Sequence, residues 1–265
     1  MYMMPVRAVA FCFAVGAAFA LAPLPATRGV VSIELDGLLW DASAVRSGVG
    51  SEMRTWLGNR LLIDPPDVFD EMDQIRAQGA EFGMMMPGIG AIQREVVDSI
   101  IKTSANVAED EAKDTADEAI ALWLQAFDGC AEALLAPEAV PALKRVRELG
   151  FGCCVITSGL GDSKRMPSLA PLVDLTVNTC DFTVPTSDAW SVALQVAPAN
   201  YEKRGAPWVH VGGAAEGGLG PAANAGFSTV ALVGGGGEAL KGLRPTRCIE
   251  SLSELPAILE EIVQQ

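Results

Sequence analysis

Histidine is nearly missing from this chain: His210 is the single one among 265 residues. Neither a multi-histidine metal centre nor a histidine-based pH switch can be assembled from it. Basic residues are scarce as well. Nineteen Lys and Arg stand against 33 Asp and Glu, a formal net charge of −14, which repels nucleic-acid and membrane phosphates; nucleic acid is excluded as a partner. The six cysteines, Cys12, Cys130, Cys153, Cys154, Cys180 and Cys248, contain no C-x-x-C pair, so no zinc ribbon or thioredoxin-type site follows. Gly 27 and Pro 16 are too few and too aperiodic for a collagenous or low-complexity chain. No internal repeat is visible. No apolar run reaches the ~20 residues that span a bilayer core, so no permanent membrane span is expected.

What is present is a core-forming composition: 50% hydrophobic, 20% charged, with mean hydropathy +0.29. Such a chain folds, and its length suits one elaborated domain or two small ones. Cys153 and Cys154 lie side by side in an apolar run and read as buried, inert thiols. At the N-terminus, Met1 to Arg7 carries one positive charge, Ala8 to Ala22 is apolar and small, and Pro23, Pro25 and Arg28 interrupt it. This is the pattern of a signal segment, with Ala18-Phe19-Ala20 offering small residues for cleavage. The stretch from Ala17 to Pro23 also resembles the Ala-Phe-Ala-Pro type of junction in bipartite plastid presequences. Delivery to a plastid and entry to an ordinary secretory compartment both stay open.

Val30-Val31-Ser32-Ile33 is a β-branched run that ends in a polar loop at Asp36-Gly37. From about Asp41 to Cys130 strand patterns vanish. Within that stretch Ala116, Ala119, Ile120, Trp123 and Phe127 recur at helical spacing over Val107 to Phe127, behind acidic first turns that suit the helix dipole. After Pro141 a helical face of Leu143, Val146 and Leu149 is closed by Gly150, and Cys153 to Ile156 forms the next strand, ending at Thr157. Strands over Leu172 to Val177, Trp208 to Val211 and Thr229 to Val233 alternate with helices over Ala189 to Val196 and Ala222 to Ala225. A capping-box spacing at Ser251 and Glu254 opens a terminal amphipathic helix. Alternation of this kind predicts an α/β fold: a Rossmann-like parallel sheet flanked by helices, with an all-helical cap inserted after the first strand. The division expected is a targeting segment at 1–28, an α/β core from 29–43 and 134–265, and a helical cap at 44–133.

In open parallel sheets ligands bind beyond the carboxyl ends of the strands, which directs attention to Glu34 with Asp36, to Thr157 and to Gly212-Gly213. Here the chain resembles the haloacid dehalogenase-like (HAD) hydrolases. Ile33-Glu34-Leu35-Asp36-Gly37-Leu38-Leu39 is similar to that family's D-x-D-G-T-L strand end, and Val155 to Gly159 to its second motif, a strand ending in Thr or Ser. Thr183 to Trp190 takes the place of a Lys-Pro-Asp-Pro segment. Val209-His210-Val211-Gly212-Gly213, followed by Gly220 to Gly226, is similar to the H-V-G-D loop and the helix behind it. The spacing holds from about Val30 to the C-terminus.

The resemblance implies a phosphatase-type hydrolase with an Asp nucleophile, a second Asp as acid/base, a phosphate-holding Lys and a fourth-motif Asp on Mg²⁺. This chain departs from that set. Glu34 stands at the nucleophile position, Asp36 at the acid/base position and Thr157 at the phosphate-binding hydroxyl, while Val184 replaces the Lys and Gly213 and Gly218 replace the acidic residues. One extra methylene shifts the Glu34 carboxylate by roughly 1.5 Å, and a ~1 Å misplacement costs on the order of 10² in rate. Loss of an electrostatic clamp costs ~10²–10³, and a missing metal ligand threatens several kcal/mol of Lewis-acid stabilisation. Lys164 and Glu216 are the candidates to replace the lost Lys and metal ligand; their plainer reading is a solvated lysine beside Arg165 and a surface loop acid.

Other residues have plain roles too. Asp36 is expected to accept backbone N–H bonds after the strand, and His210 to sit in the core with a local hydrogen bond. Met84-Met85-Met86 is expected to fill space between cap and core. The glycines at 212, 213, 217, 218 and 220 offer either a flexible loop or a backbone anion nest. The expectation is a non-catalytic pseudo-phosphatase that binds a small ligand or protein partner and needs no cofactor. The alternative is a weak or atypical Mg²⁺-dependent phosphatase in which Glu34 and Asp36 hold the metal; a dehalogenase departs further, because its pattern also uses the Asp nucleophile and the Lys.

Overall fold

The computed structural model describes residues 28–81, 88–103, 107–157, 161–178, 207–213, 218–233 and 244–264. Strand β2 (Phe151–Thr157) is a near-continuous apolar run, while β1 (Gly29–Glu34) carries Ser32 and Glu34 between apolar residues, and both are buried along nearly their whole length. Burial on both faces is typical of parallel strands, and these two pair in parallel. In register Val31 lies opposite Cys153 and Glu34 opposite Ile156. With β3 (Leu175–Asn178), β4 (Trp208–Gly213), β5 (Ser228–Leu232) and β6 (Arg247–Ile249) they form a six-stranded sheet in the order β3-β2-β1-β4-β5-β6, every neighbouring pair parallel. The order reverses between β1 and β4. A crevice therefore opens beyond the carboxyl ends of those two strands, and it brings together Glu34 and Gly213, the last residue of each.

Between β1 and the core helix α5 (Ala139–Glu148) the chain is helical, as expected: α1 (Ala42–Leu61), α2 (Val68–Glu81), α3 (Ile89–Thr103) and α4 (Glu109–Ala133). Asp41 opens α1 by accepting from the Ala44 N–H. On α3, Ile89, Ile92, Gln93, Val96, Val97, Ile100 and Ile101 all fall on the buried side, the spacing of an amphipathic helix. Edge-on ring pairs, Phe69 with Trp123 and Trp40 with Phe127, tie the helices to one another and to the strand end. Two linkers join insertion to sheet, and they bridge each other: Trp40 pairs with Leu135, and the Ala136 N–H donates to the Leu39 carbonyl (2.8 Å). One apolar cluster runs through both parts, from Val31 and Ile33 to Val96 and Trp123.

Helices α6 (Leu219–Asn224) and α7 (Leu255–Val263) complete the described chain, the latter behind a formed Ser251–Glu254 capping box. Gly150, at φ +85°, turns the chain from α5 into β2 where the sequence placed a stop. Two strands differ from expectation. The segment read as a strand over Leu172 to Val177 is paired only over Leu175–Asn178, because the N–H groups of Leu172 and Val173 turn back to the Leu169 carbonyl. The edge strand β6 went unread; three residues behind Pro245, with Cys248 exposed, carry no periodicity. Cys153 and Cys154 are buried as expected, and burial pushes the Cys153 thiol up to about 12. No helix among the described residues is long and apolar enough to cross a membrane. Residues 1–27, Met84 to Met86 and the segment Ala189 to Val196 lie outside the described residues.

One local strain is testable. Leu62 caps the C-terminus of α1 at φ 55°, ψ 41°, a left-handed conformation, with 77% of its surface exposed. Leu62→Gly is expected to stabilise the protein by about 1 kcal/mol, read as a higher midpoint in urea; an unchanged or lower midpoint would contradict this.

Candidate functional site

Ser32 and Glu34 are two residues apart on β1 and share one face of the sheet. Register places Ser32 opposite His210 on β4, and the Ser32 hydroxyl lies 2.9 Å from His210 Nδ1. One step further along, His210 Nε2 lies 3.6 Å from Glu34 Oε1. The resulting row joins serine, imidazole and carboxylate, and Ser32 and His210 are both fully buried in the sheet. No motif announces this row, since it arises from strand register.

The carboxylate of Glu34 folds across the end of β4. Its Oε2 accepts the Gly213 N–H at 2.9 Å. Its Oε1 lies so close to the backbone ahead of α6 that a Cβ on Gly218 would come within 1.5 Å of it, and a Cβ on Gly212 within 3.2 Å. Two of the loop glycines therefore clear the space that the longer acid fills, and a third supplies the donor. Of the glycines read as a flexible loop or an anion nest, Gly213 donates one backbone N–H to an anion, and that anion is Glu34 itself. With one oxygen accepting a backbone N–H and the other against His210 and Gly218, the carboxylate is held as an internal ligand, with 22% of its side chain exposed.

Asp36 lies on the other side of β1. Thr157 Oγ1 donates to Asp36 Oδ2 at 2.7 Å, so the expected acid/base carboxylate and phosphate-binding hydroxyl meet one another. Asp36 also lines a cavity of ≈ 190 Å³ beneath the helical insertion, with Trp40, Arg46, Phe69, Arg76 and Phe127 around it. Arg46 pairs with Asp73 at 2.5 Å and lies over the Phe69 ring, 4.9 Å from its centre. Lys164 does not join Thr157 there: its ammonium donates to the Val173 carbonyl, and its side chain lines a second cavity. Val184, Glu216 and Gly217 lie outside the described residues.

Octahedral Mg²⁺ is held by one or two carboxylates together with other oxygens. At the strand end the described residues offer it Asp36, bonded to Thr157, and Glu34, bonded to the Gly213 N–H, while the glycines at 212, 213 and 218 add no side-chain oxygen. Among the described residues no three His, Cys, Asp or Glu side chains gather to hold a metal.

No family model matches this chain, and neither does any curated protein. Solved structures do. A 2-haloacid dehalogenase from Pseudomonas syringae superimposes with a TM-score of 0.68 at 22% identity, over 88% of this chain and 99% of that one. A haloacid dehalogenase-like hydrolase from Xanthomonas campestris gives 0.54 at 11% identity, over 89% and 92%. A HAD hydrolase from Bacillus subtilis, described as bound to magnesium, gives 0.50 at 16% identity, over 87% and 98%. The chain has the haloacid dehalogenase-like fold: a Rossmann-like parallel sheet with a helical insertion behind its first strand.

The Glu34 cradle makes a quantitative prediction. A methyl at position 218 must eject the carboxylate from its bond to Gly213, and hydrogen bonds to charged groups are worth about 1.5–3 kcal/mol. Gly218→Ala is expected to cost about 2 kcal/mol with Glu34 in place and under about 0.5 kcal/mol in a Glu34→Ala background. A double-mutant cycle in urea measures both, and equal costs in the two backgrounds would contradict the coupling.

Proposed function

We propose that this HAD-fold protein is a non-catalytic pseudo-phosphatase that acts as a binding or scaffold domain. The observation that carries the reading is the internal capture of Glu34, the side chain at the nucleophile position, by the Gly213 N–H. In-line attack on a phosphoryl group needs a carboxylate oxygen free to approach the phosphorus and a positive charge opposite it. Glu34 has neither the freedom nor, with glycine at 213 and 218 and valine at 184, the charge. Removing Glu34 from its cradle would also break a contact that the strand end is shaped around.

The second reading, a weak or atypical Mg²⁺-dependent phosphatase, draws its support from Asp36 and Thr157, which remain joined at the mouth of a cavity. Were a metal bound, it would supply Lewis-acid stabilisation of phosphoryl oxygens; the residues present at the strand end offer it Glu34 and Asp36. The binding reading needs none of this, since a cavity lined by aromatic rings and arginines recognises a ligand without transforming it. Its partner is a small molecule or a protein, met in a plastid or secretory compartment.

The deciding assay is hydrolysis of a phosphate-ester panel with Mg²⁺ by the mature chain, its Asp36→Asn variant and the triple variant Glu34→Asp/Val184→Lys/Gly213→Asp. The native chain is expected to give no turnover above buffer and the triple variant to gain it. Native turnover abolished by Asp36→Asn would overturn the non-catalytic reading.

A further inference from the structure

We propose that the cavity between α3, α4 and the end of β3 is a binding site for an organic carboxylate with an apolar body. This site is separate from the strand-end carboxylates, because neither Glu34 nor Asp36 lines it. Its volume is ≈ 830 Å³, inside the roughly 300–1,000 Å³ range of small-molecule sites. Ile89, Ile120, Leu124 and Leu175 give it an apolar wall.

Two polar features set the chemistry of the occupant. Gln93 lines the cavity from α3, is 2% exposed, and its amide nitrogen has no hydrogen-bond partner among the described residues. A buried N–H donor without an acceptor is costly, and native proteins keep such groups rare. Lys164 lines the same cavity; its ammonium meets a neutral carbonyl, that of Val173, and no carboxylate among the described residues pairs with it. Of the other charged groups that line the cavity, Arg165 pairs with Asp128 at 2.8 Å, Asp174 pairs with Arg147 and accepts the Cys153 N–H, and Asp162 accepts the Lys164 backbone N–H. An unmet donor and an unmatched cation beside an apolar wall call for an acceptor that is also an anion, attached to a hydrocarbon body. A carboxylate supplies both, with one oxygen on the Gln93 amide and its charge toward Lys164.

Isothermal titration of the mature chain with octanoate tests this, beside octylamine and inorganic phosphate. Octanoate is expected to bind one to one, with octylamine and phosphate at least about tenfold weaker. Gln93→Leu is expected to weaken octanoate about tenfold and to raise the Tm of the ligand-free protein, since it removes the unmet amide. Lys164→Gln, at an exposed position, is expected to weaken octanoate about tenfold with little change in Tm, and it decides the matter alone if Gln93→Leu does not fold. Octanoate binding no tighter than octylamine or phosphate, or unaltered by either substitution, would overturn the proposal.

Discussion

A carboxylate at the end of a buried central strand has to find hydrogen-bond donors, because water reaches it poorly and desolvation is expensive. Glu34 finds its donor in the Gly213 N–H, across the point where the strand order reverses. That contact is possible because position 218 has no side chain and position 212 has none to crowd it. An acidic side chain at 213 or 218 would bring a second negative charge into the same space, and at 218 it would also collide with Oε1. The longer acid on β1 and the glycines around β4 therefore form one geometric unit. Changes that read in the sequence as separate losses are, in the folded chain, a single rearrangement in which the strand end binds its own carboxylate.

The rest of the site follows from the sheet. Register puts Ser32, His210 and Glu34 in a line on one side of β1, while Asp36 and Thr157 close on each other on the other side, beneath the helices. Glu34 and Asp36 thus each accept a hydrogen bond from within the chain. Under the helical insertion the indole N–H of Trp40 and the amide of Gln93 are buried without partners among the described residues, beside cavities that share Ile89 as a wall. A protein arranged in this way is suited to holding a molecule between sheet and helices.

Much of the architecture was legible in the sequence because its signals are strong and local. Continuous β-branched and apolar runs announced β1, β2 and β4, the glycine after Leu149 announced the turn into β2, and the absence of strand patterns after Asp41 announced the helical insertion. Short elements carried too little periodicity: β6 was missed and β3 was placed about three residues early. The motif resemblance pointed to Glu34, Asp36 and Thr157, but how these side chains sit relative to one another was not legible. Nothing in one dimension says that a serine two residues before Glu34 touches the only histidine, or that a glycine 184 residues further on is small because Glu34 needs its space. Gln93 looked like any amide on a helix, and its isolation emerges only once the helices pack.

The most direct test of the account is a crystal structure of the mature chain grown with Mg²⁺ and orthovanadate, a mimic of the phosphoryl group in flight. The account predicts that Glu34 Oε2 stays within hydrogen-bonding distance of the Gly213 nitrogen, with neither metal nor vanadate on its oxygens. A structure in which Glu34 has swung away from Gly213 to ligate Mg²⁺ or vanadium would contradict it.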